Sequence, residues 1–316
     1  MNTVPEIYVG SFPLAVWQRV ICYSDFPTLT TALGSVCSAM RHLTKGDLRE
    51  RHKEFFEGMV ADVPSFLTVL QECRGIVGGS AVLSMVCPVF RGAHDYDIFV
   101  PVDGVAALIY HLVVVEGYHG EAVERHHPAN GCLVGDVRYL SGIGKQVTLS
   151  NGTIEVDIIG VGAGDAWDRA DVPIASAWAT ILMNFVTPGD IVLTYPTLTL
   201  LGRSLIQWDR VLHPSFPGGV QVQELDKYQA RGIEFRTQAD EWDMDERGWM
   251  RKCGRSWVCP LVERSFGDGG CMWLSLGKQE PEVSGTKWTL GGRPCPLVCD
   301  QDVGVMNQVH VDWCVC

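Results

Sequence analysis

The sequence predicts an α+β protein: a mixed sheet flanked by helices, preceded by a small helical segment and followed by a cysteine- and tryptophan-rich C-terminal region. Three observations carry that prediction. Ile76 and Val77 run into Gly78-Gly79-Ser80, a strand that breaks at a glycine turn and restarts as a short helix over Ala81 to Val86. Asp95, Tyr96, Asp97, Ile98, Phe99 and Val100 then form a run rich in strand formers. From Thr153 to Ile159 the residues Ile154, Val156 and Ile158 alternate with Glu155 and Asp157, the period-two pattern of a half-buried strand.

In chain order, Pro13 precedes a helical rhythm of Leu14, Trp17 and Ile21, widened by Val16 and Val20. Ser24 to Thr28 is a break with cap residues and Pro27. A second rhythm runs through Leu29, Leu33, Val36, Cys37, Met40 and Leu43. Helices this short cannot bury their apolar faces on one another and need a neighbouring domain or a partner. Residues 44 to 57 mix charges of both signs, so they read as a solvated helix or connector and supply the best boundary. The expected organisation is a helical segment over 1–50, a sheet domain over 51–212, and a C-terminal region over 213–316 that is either separate or part of the sheet domain.

Met59, Val60, Val63, Phe66, Leu67 and Leu70 predict a helix between about residues 57 and 73, with Pro64 in its first turn or at a kink. Residues 104 to 117 read as a helix closed by Gly117, with His111 packed inside it rather than acting as a ligand. His126-His127-Pro128 reads as a loop. Short strands are expected over 136–140 and 145–149, with Gly142 and Gly144 between them. Ile174 to Phe185 is apolar almost all round and reads as one buried helix, with Trp178, Leu182 and Phe185 in the core. A turn at Thr187 to Asp190 and a short buried strand follow, ended by Pro196 and Thr197.

Side chains two apart on a strand leave the same face, so Asp95 and Asp97 point to one side of the sheet. If the strand bearing Asp157 lies alongside, a third carboxylate joins them. Neighbouring carboxylates repel unless they are protonated, hydrogen-bonded or bridged by a cation. The cation suited to an all-oxygen set is Mg2+, commonly shared with substrate phosphates. Two such ions clamp the attacking and leaving oxygens of a phosphoryl or nucleotidyl transfer. On the plainer account these aspartates are polar faces of a mixed sheet. Arg74, Arg91, Lys145 and Arg169 are the local cations available to a phosphorylated substrate.

Gly78-Gly79-Ser80, a short helix, Asp95-Tyr96-Asp97-Ile98 and the later strand residue Asp157 together resemble the polymerase-beta-type nucleotidyltransferases. The resemblance implies their fold, with a nucleoside triphosphate as substrate at Gly78, Gly79 and Ser80. It also implies Mg2+ or Mn2+ held by Asp95, Asp97 and Asp157. Met183 to Thr199, Lys227 to Gly232 and Cys253 to Asp268 resemble segments of fungal proteins of the nucleotidyltransferase-like group. A second resemblance covers residues 12–43. Phe12-Pro13-Leu14, Asp25, Val36-Cys37 and Met40-Arg41 resemble an F-box, with Phe12 where the usual residue is Leu. It implies a Skp-type adaptor as partner and, as the alternative function, a catalytically inactive adaptor that recruits a target to a cullin-type ubiquitin ligase.

Composition narrows these readings. Hydrophobic residues make up 47% of the 316 and charged ones 20%, which suits a folded chain with ample core. A formal charge of −12 disfavours a long nucleic-acid footprint and points to a small molecule or a protein side chain as acceptor. The N-terminus has no basic stretch ahead of an apolar core, and no window of about 18 apolar residues occurs. The expectation is therefore a cytoplasmic or nuclear protein, away from membranes, with its 12 cysteines as thiols. Seven of those cysteines fall between 253 and 316, but Cys295 and Cys299, or Cys314 and Cys316, lack the close paired spacing of zinc sites. Trp242, Trp249, Trp257, Trp273, Trp288 and Trp313 predict a sheet- or loop-rich element packed by indole rings.

Overall fold

The computed structural model describes residues 8–9, 12–90, 95–120, 143–162, 169–207, 211, 218–239, 242, 257–277 and 285–291. His126-His127, the strand expected over 136–140, Cys253, Cys295, Cys299, Cys314, Cys316, Trp249 and Trp313 lie outside the described residues, as does Arg91.

Strand β1 (Tyr8–Val9) pairs antiparallel with β2 (Phe12–Pro13), which leads directly into helix α1 (Leu14–Tyr23). Pro13 suits that start, because its ring holds φ near the helical value and it has no N–H to leave unpaired. At the expected break Asp25 Oδ1 accepts from the Thr28 N–H at 2.9 Å, opening a π-helical turn over Thr28–Leu33. A short α2 (Gly34–Val36) follows, then the long α3 (Ser38–Glu57).

Helix α3 runs without a break through residue 50, where the boundary was expected, and it is not solvated all round. Thr44, Leu48, His52, Phe55 and Phe56 are buried, while Lys53 and Glu57 pair at 2.9 Å on the outer face. The His52 ring reaches the Thr187 carbonyl at 2.8 Å, and burial holds its pKa below the ordinary histidine value. Helix α4 (Val63–Glu72) starts at Asp62, with Pro64 in its first turn. The central elements are β3 (Ile76–Gly78), α5 (Gly79–Val86), β4 (Asp95–Pro101), α6 (Val105–Val114), β5 (Ile143–Ser150) and β6 (Glu155–Val161).

The single helix expected over Ile174 to Phe185 does not form. The stretch holds the end of α7 (Asp171–Ala175), a 3-10 turn over Thr180–Leu182 and the start of β7 (Phe185–Val186). Ala179 is extended, with φ −146° and ψ 144°, and bridges to Ile206. All twelve residues except Ser176 are buried, and a run buried on every side has no polar stripe from which to read a period. Next come β8 (Asp190–Leu193), α8 (Pro196–Thr199), β9 (Arg203–Leu205), α9 (Gly218–Ala230) and β10 (Glu234–Arg236), the last parallel to β9. Of the C-terminal region, β11 (Arg264–Ser265), β12 (Met272–Ser275) and β13 (Lys287–Trp288) are strands.

Seven strands form the main sheet in the order β12-β8-β7-β3-β4-β6-β5, with only β4 and β6 parallel. It is a mixed sheet with helices on both sides. On one face Val77, Ile98, Val100, Val156 and Ile158 pack on Phe56, Phe66, Leu70 and Leu108, and Ile21, Phe26 and Leu29 belong to the same core. On the other, Phe99, Ile159 and Val161 meet Ile174, Trp178, Tyr228, Phe266 and Trp288. The N-terminal helices and the described part of the C-terminal region thus share cores with the sheet, and β12 is a strand of it. Among the described residues no helix is long and apolar enough to cross a membrane.

Candidate functional site

Register places the acidic residues. Because β4 and β6 run parallel, their carboxylates meet at matching levels: Asp95 lies opposite Glu155 and Asp97 opposite Asp157. On the other side of β4, antiparallel β3 sets Gly78 opposite Asp97. Paired residues on neighbouring strands share a face, so Gly78, Asp95, Asp97 and Asp157 all lie on the side of Phe99 and Ile159, at the polar end of the strands.

The glycines are required by this geometry. Gly79 has φ +70°, in the left-handed region, and a Cβ there would run into the Asp97 carboxylate. A Cβ on Gly78 would come within 2.7 Å of Ile174 Cδ1 and 2.9 Å of Phe99 Cε2. The backbone that ends β3 and opens α5 therefore passes bare beside the carboxylates, and the N-terminus of α5 contributes partial positive charge.

Each acidic side chain has a defined setting. Ser80, 1% exposed, donates its hydroxyl to Asp95 Oδ1 at 2.8 Å. Thr148 on β5, opposite Asp157 in the ladder, donates to Asp157 Oδ1 at 2.5 Å. Asp97 is buried, at 8% exposure. Lys227, from α9, brings its ammonium to 3.9 Å from Asp95 Oδ2. Burial pushes the Asp95 carboxyl up, but the Ser80 hydroxyl, Lys227 and Arg231 outweigh it and hold it below the usual carboxylate range.

All six residues expected at the site, Gly78, Gly79, Ser80, Asp95, Asp97 and Asp157, come to this one end of the sheet. The carboxylates share a face, but they are not drawn into one tight cluster. Among the described residues no group of three His, Cys, Asp or Glu side chains is arranged to hold a metal ion. Asp95 is turned to Ser80 and Lys227, and Asp157 to Thr148. The donor chemistry nonetheless suits a hard divalent cation: carboxylate oxygens on adjacent strands, hydroxyls beside them, and glycine backbone that leaves room.

Two of the expected cations are engaged elsewhere. Arg74 pairs with Asp103 at 3.0 Å on the surface, and Arg169 with Asp171 at 3.5 Å; the Lys145 side chain lies outside the described residues. Among the described residues, the cations that act on the acidic end are Lys227, in the last turn of α9, and Arg231, just past its C-terminus. Arg231 lies over the Phe90 ring at 5.4 Å, and Tyr228 stacks on the same ring at 5.9 Å. Their spacing was visible in the Lys227 to Gly232 segment, but nothing local tied it to Asp95, 132 positions earlier. Thr148 was hidden in the same way, being one polar residue of an ordinary strand.

No family model, no curated protein and no solved structure matches the chain.

Proposed function

We propose that the chain is a metal-dependent nucleotidyltransferase, which transfers a nucleotidyl group from a nucleoside triphosphate to a small molecule or a protein side chain. The observation that carries the reading is the register of Asp97 with Asp157 on parallel strands, beside a glycine pair whose backbone admits no side chain. Asp95, Asp97 and Asp157 are the residues that would hold Mg2+ or Mn2+. When bound, the cation supplies charge neutralisation at the transferring phosphate. The backbone N–H groups of Gly78, Gly79 and Ser80 receive phosphate oxygens, at a helix N-terminus suited to anions. The acceptor oxygen attacks the α-phosphorus, pyrophosphate leaves, and Asp157 takes the acceptor's proton.

Calorimetry tests this directly. Wild type is expected to bind a nucleoside triphosphate only with Mg2+ or Mn2+ present, and Asp95→Ala/Asp97→Ala to lose that binding while keeping the wild-type circular dichroism spectrum. Absence of any metal-dependent triphosphate binding by folded wild-type protein would overturn the reading.

A second reading has its own observation. Val16, Val20 and Tyr23 are 42%, 42% and 83% exposed at the i, i+4, i+7 positions of one face of α1, and Phe12, on β2 just ahead of it, is 54% exposed. An apolar stripe left in water marks an interaction surface. Together with the F-box resemblance it supports a Skp-type adaptor as partner. The test is direct binding of a purified Skp-type adaptor, with Val16→Glu/Val20→Glu as the variant expected to abolish it. Failure of the wild type to bind sinks this reading and leaves the first untouched.

A further inference from the structure

Lys227 stands where the carboxylates need positive charge. Its ammonium is 3.9 Å from Asp95 Oδ2 and 3.8 Å from Glu224 Oε2, distances of charge attraction rather than of a directed hydrogen bond. Among the described residues it has no other ion pair or hydrogen bond: the side chain is 33% exposed, and its ammonium lies 5.7 Å from the Tyr228 ring. One turn further, Arg231 Nη1 is buried without a hydrogen-bond acceptor among the described residues. A buried guanidinium donor with no acceptor is costly, and an incoming anion relieves that cost. The same end of the sheet thus holds a loosely paired cation over a carboxylate and a second cation with a donor to spare.

We propose that Lys227 and Arg231 are a hand-over pair for the nucleotide. In the unloaded chain Lys227 neutralises Asp95 in place of a divalent cation. When the cation binds Asp95, the ammonium is displaced to the triphosphate, whose oxygens also accept from Arg231 Nη1. Lys227 is then a competitor of the metal and a partner of the phosphates. This inference rests on the nucleotidyltransferase reading.

The two roles predict opposite effects of a single substitution. In Lys227→Met, Mn2+ measured alone is expected to bind about 2- to 5-fold more tightly, because an exposed competing ion pair is gone. An α,β-methylene ATP analogue with saturating Mn2+ is expected to bind about tenfold or more weakly, through loss of a charged phosphate contact. Lys227→Arg should stay close to wild type in both measurements. Arg231→Met should weaken the analogue while leaving Mn2+ affinity within about twofold, since Arg231 makes no ion pair with Asp95 and is the weakest of the influences on its carboxyl. If Lys227→Met moves both affinities in the same direction, or moves neither, the hand-over is wrong while the enzyme reading stands. If wild type binds neither Mn2+ nor the analogue, the reading beneath it fails as well.

Discussion

At Asp268 the Arg264 guanidinium is gripped through Nε at 2.6 Å and Nη2 at 3.1 Å; at Asp95 the Lys227 ammonium stands 3.9 Å away. The two aspartates are alike in chemistry and opposite in setting. The Arg264 side chain is fully buried, and its remaining N–H groups donate to the carbonyls of Trp257 and Thr194. Its guanidinium plane lies 4.4 Å over the Tyr195 ring. Asp268 also accepts from the N–H groups of Ser265 and Gly270. Every nitrogen of the guanidinium and both carboxylate oxygens of Asp268 are thus engaged, and the pair fastens the described part of the C-terminal region to the end of β8. The Asp95 pair is half exposed and longer than a hydrogen bond. A charge pair built to stay closes its hydrogen bonds, and one built to exchange partners leaves them open.

The largest test of that contrast is Arg264→Met. It leaves Asp268, only 14% exposed, without its counter-ion, and breaking a largely buried pair of this kind costs about 3–5 kcal/mol. Urea unfolding is expected to show that loss. A change below about 1 kcal/mol would erase the distinction between the two pairs.

Gly79→Ala probes the backbone of the acidic end. A left-handed φ costs a residue with a side chain about 1–3 kcal/mol, and the added methyl also meets Asp97. The expected result is a loss of that order in thermal or urea unfolding, with triphosphate binding lost as well. The acidic end would then combine a rigid backbone with an exchangeable ion pair. A fully stable Gly79→Ala protein would show the backbone there to be as loose as its charges.

Acid titration separates the pairs by pH. At Asp268 burial raises the carboxyl pKa, but Arg264 and the N–H groups of Ser265 and Gly270 overcome it, so the folded value sits below the usual range. A folded pKa depressed below the unfolded one gives stability that is present above the unfolded value, near 3.9, and is lost as pH falls through the folded value. Asp268→Asn is expected to flatten the fall in stability below about pH 4. Asp95 carries the same sign, but its side chain is 41% exposed and solvent screens it. Asp95→Asn should leave the acid limb much closer to wild type, as urea unfolding at a series of pH values would show.

How far these features could be read from sequence follows from how local their causes are. Gly78-Gly79, the alternation of β6 and the two-residue spacing of Asp95 and Asp97 each impose geometry within a few residues, and β3, α5, β4 and β6 all form where the pattern put them. Residues 174 to 185 defeated the same logic because burial on every side removes the period. Helix α3 likewise hid its buried face, since Thr44, Leu48, His52, Phe55 and Phe56 are spread among charges that make the segment look solvated. Arg264 and Lys227 were invisible as pairs for a third reason. Both are surface-type residues by composition, and only tertiary contact shows that one is sealed under aromatic rings and the other stands beside an aspartate. Of the C-terminal cysteines, Cys271 is hydrogen-bonded within the Arg264 cluster, and burial pushes its thiol up to about 12, a structural setting rather than a reactive one.

The smallest expected effect is the one that completes the comparison. Lys227→Met removes a cation of the same sign as Arg264, facing a carboxylate of the same kind. Yet the pair it breaks is solvent-screened, and both partners can be hydrated once separated. An exposed ion pair of this kind contributes about 0.2–1 kcal/mol, and the extra apolar contact of a methionine on Tyr228 offsets part of that. Unfolding free energy is therefore expected to lie within about 0.5 kcal/mol of wild type, while the Mn2+ and nucleotide affinities of the same protein move in opposite directions. A loss of several kcal/mol would mean that Lys227 is a structural fastening like Arg264, and its position beside Asp95 would then be explained by folding alone.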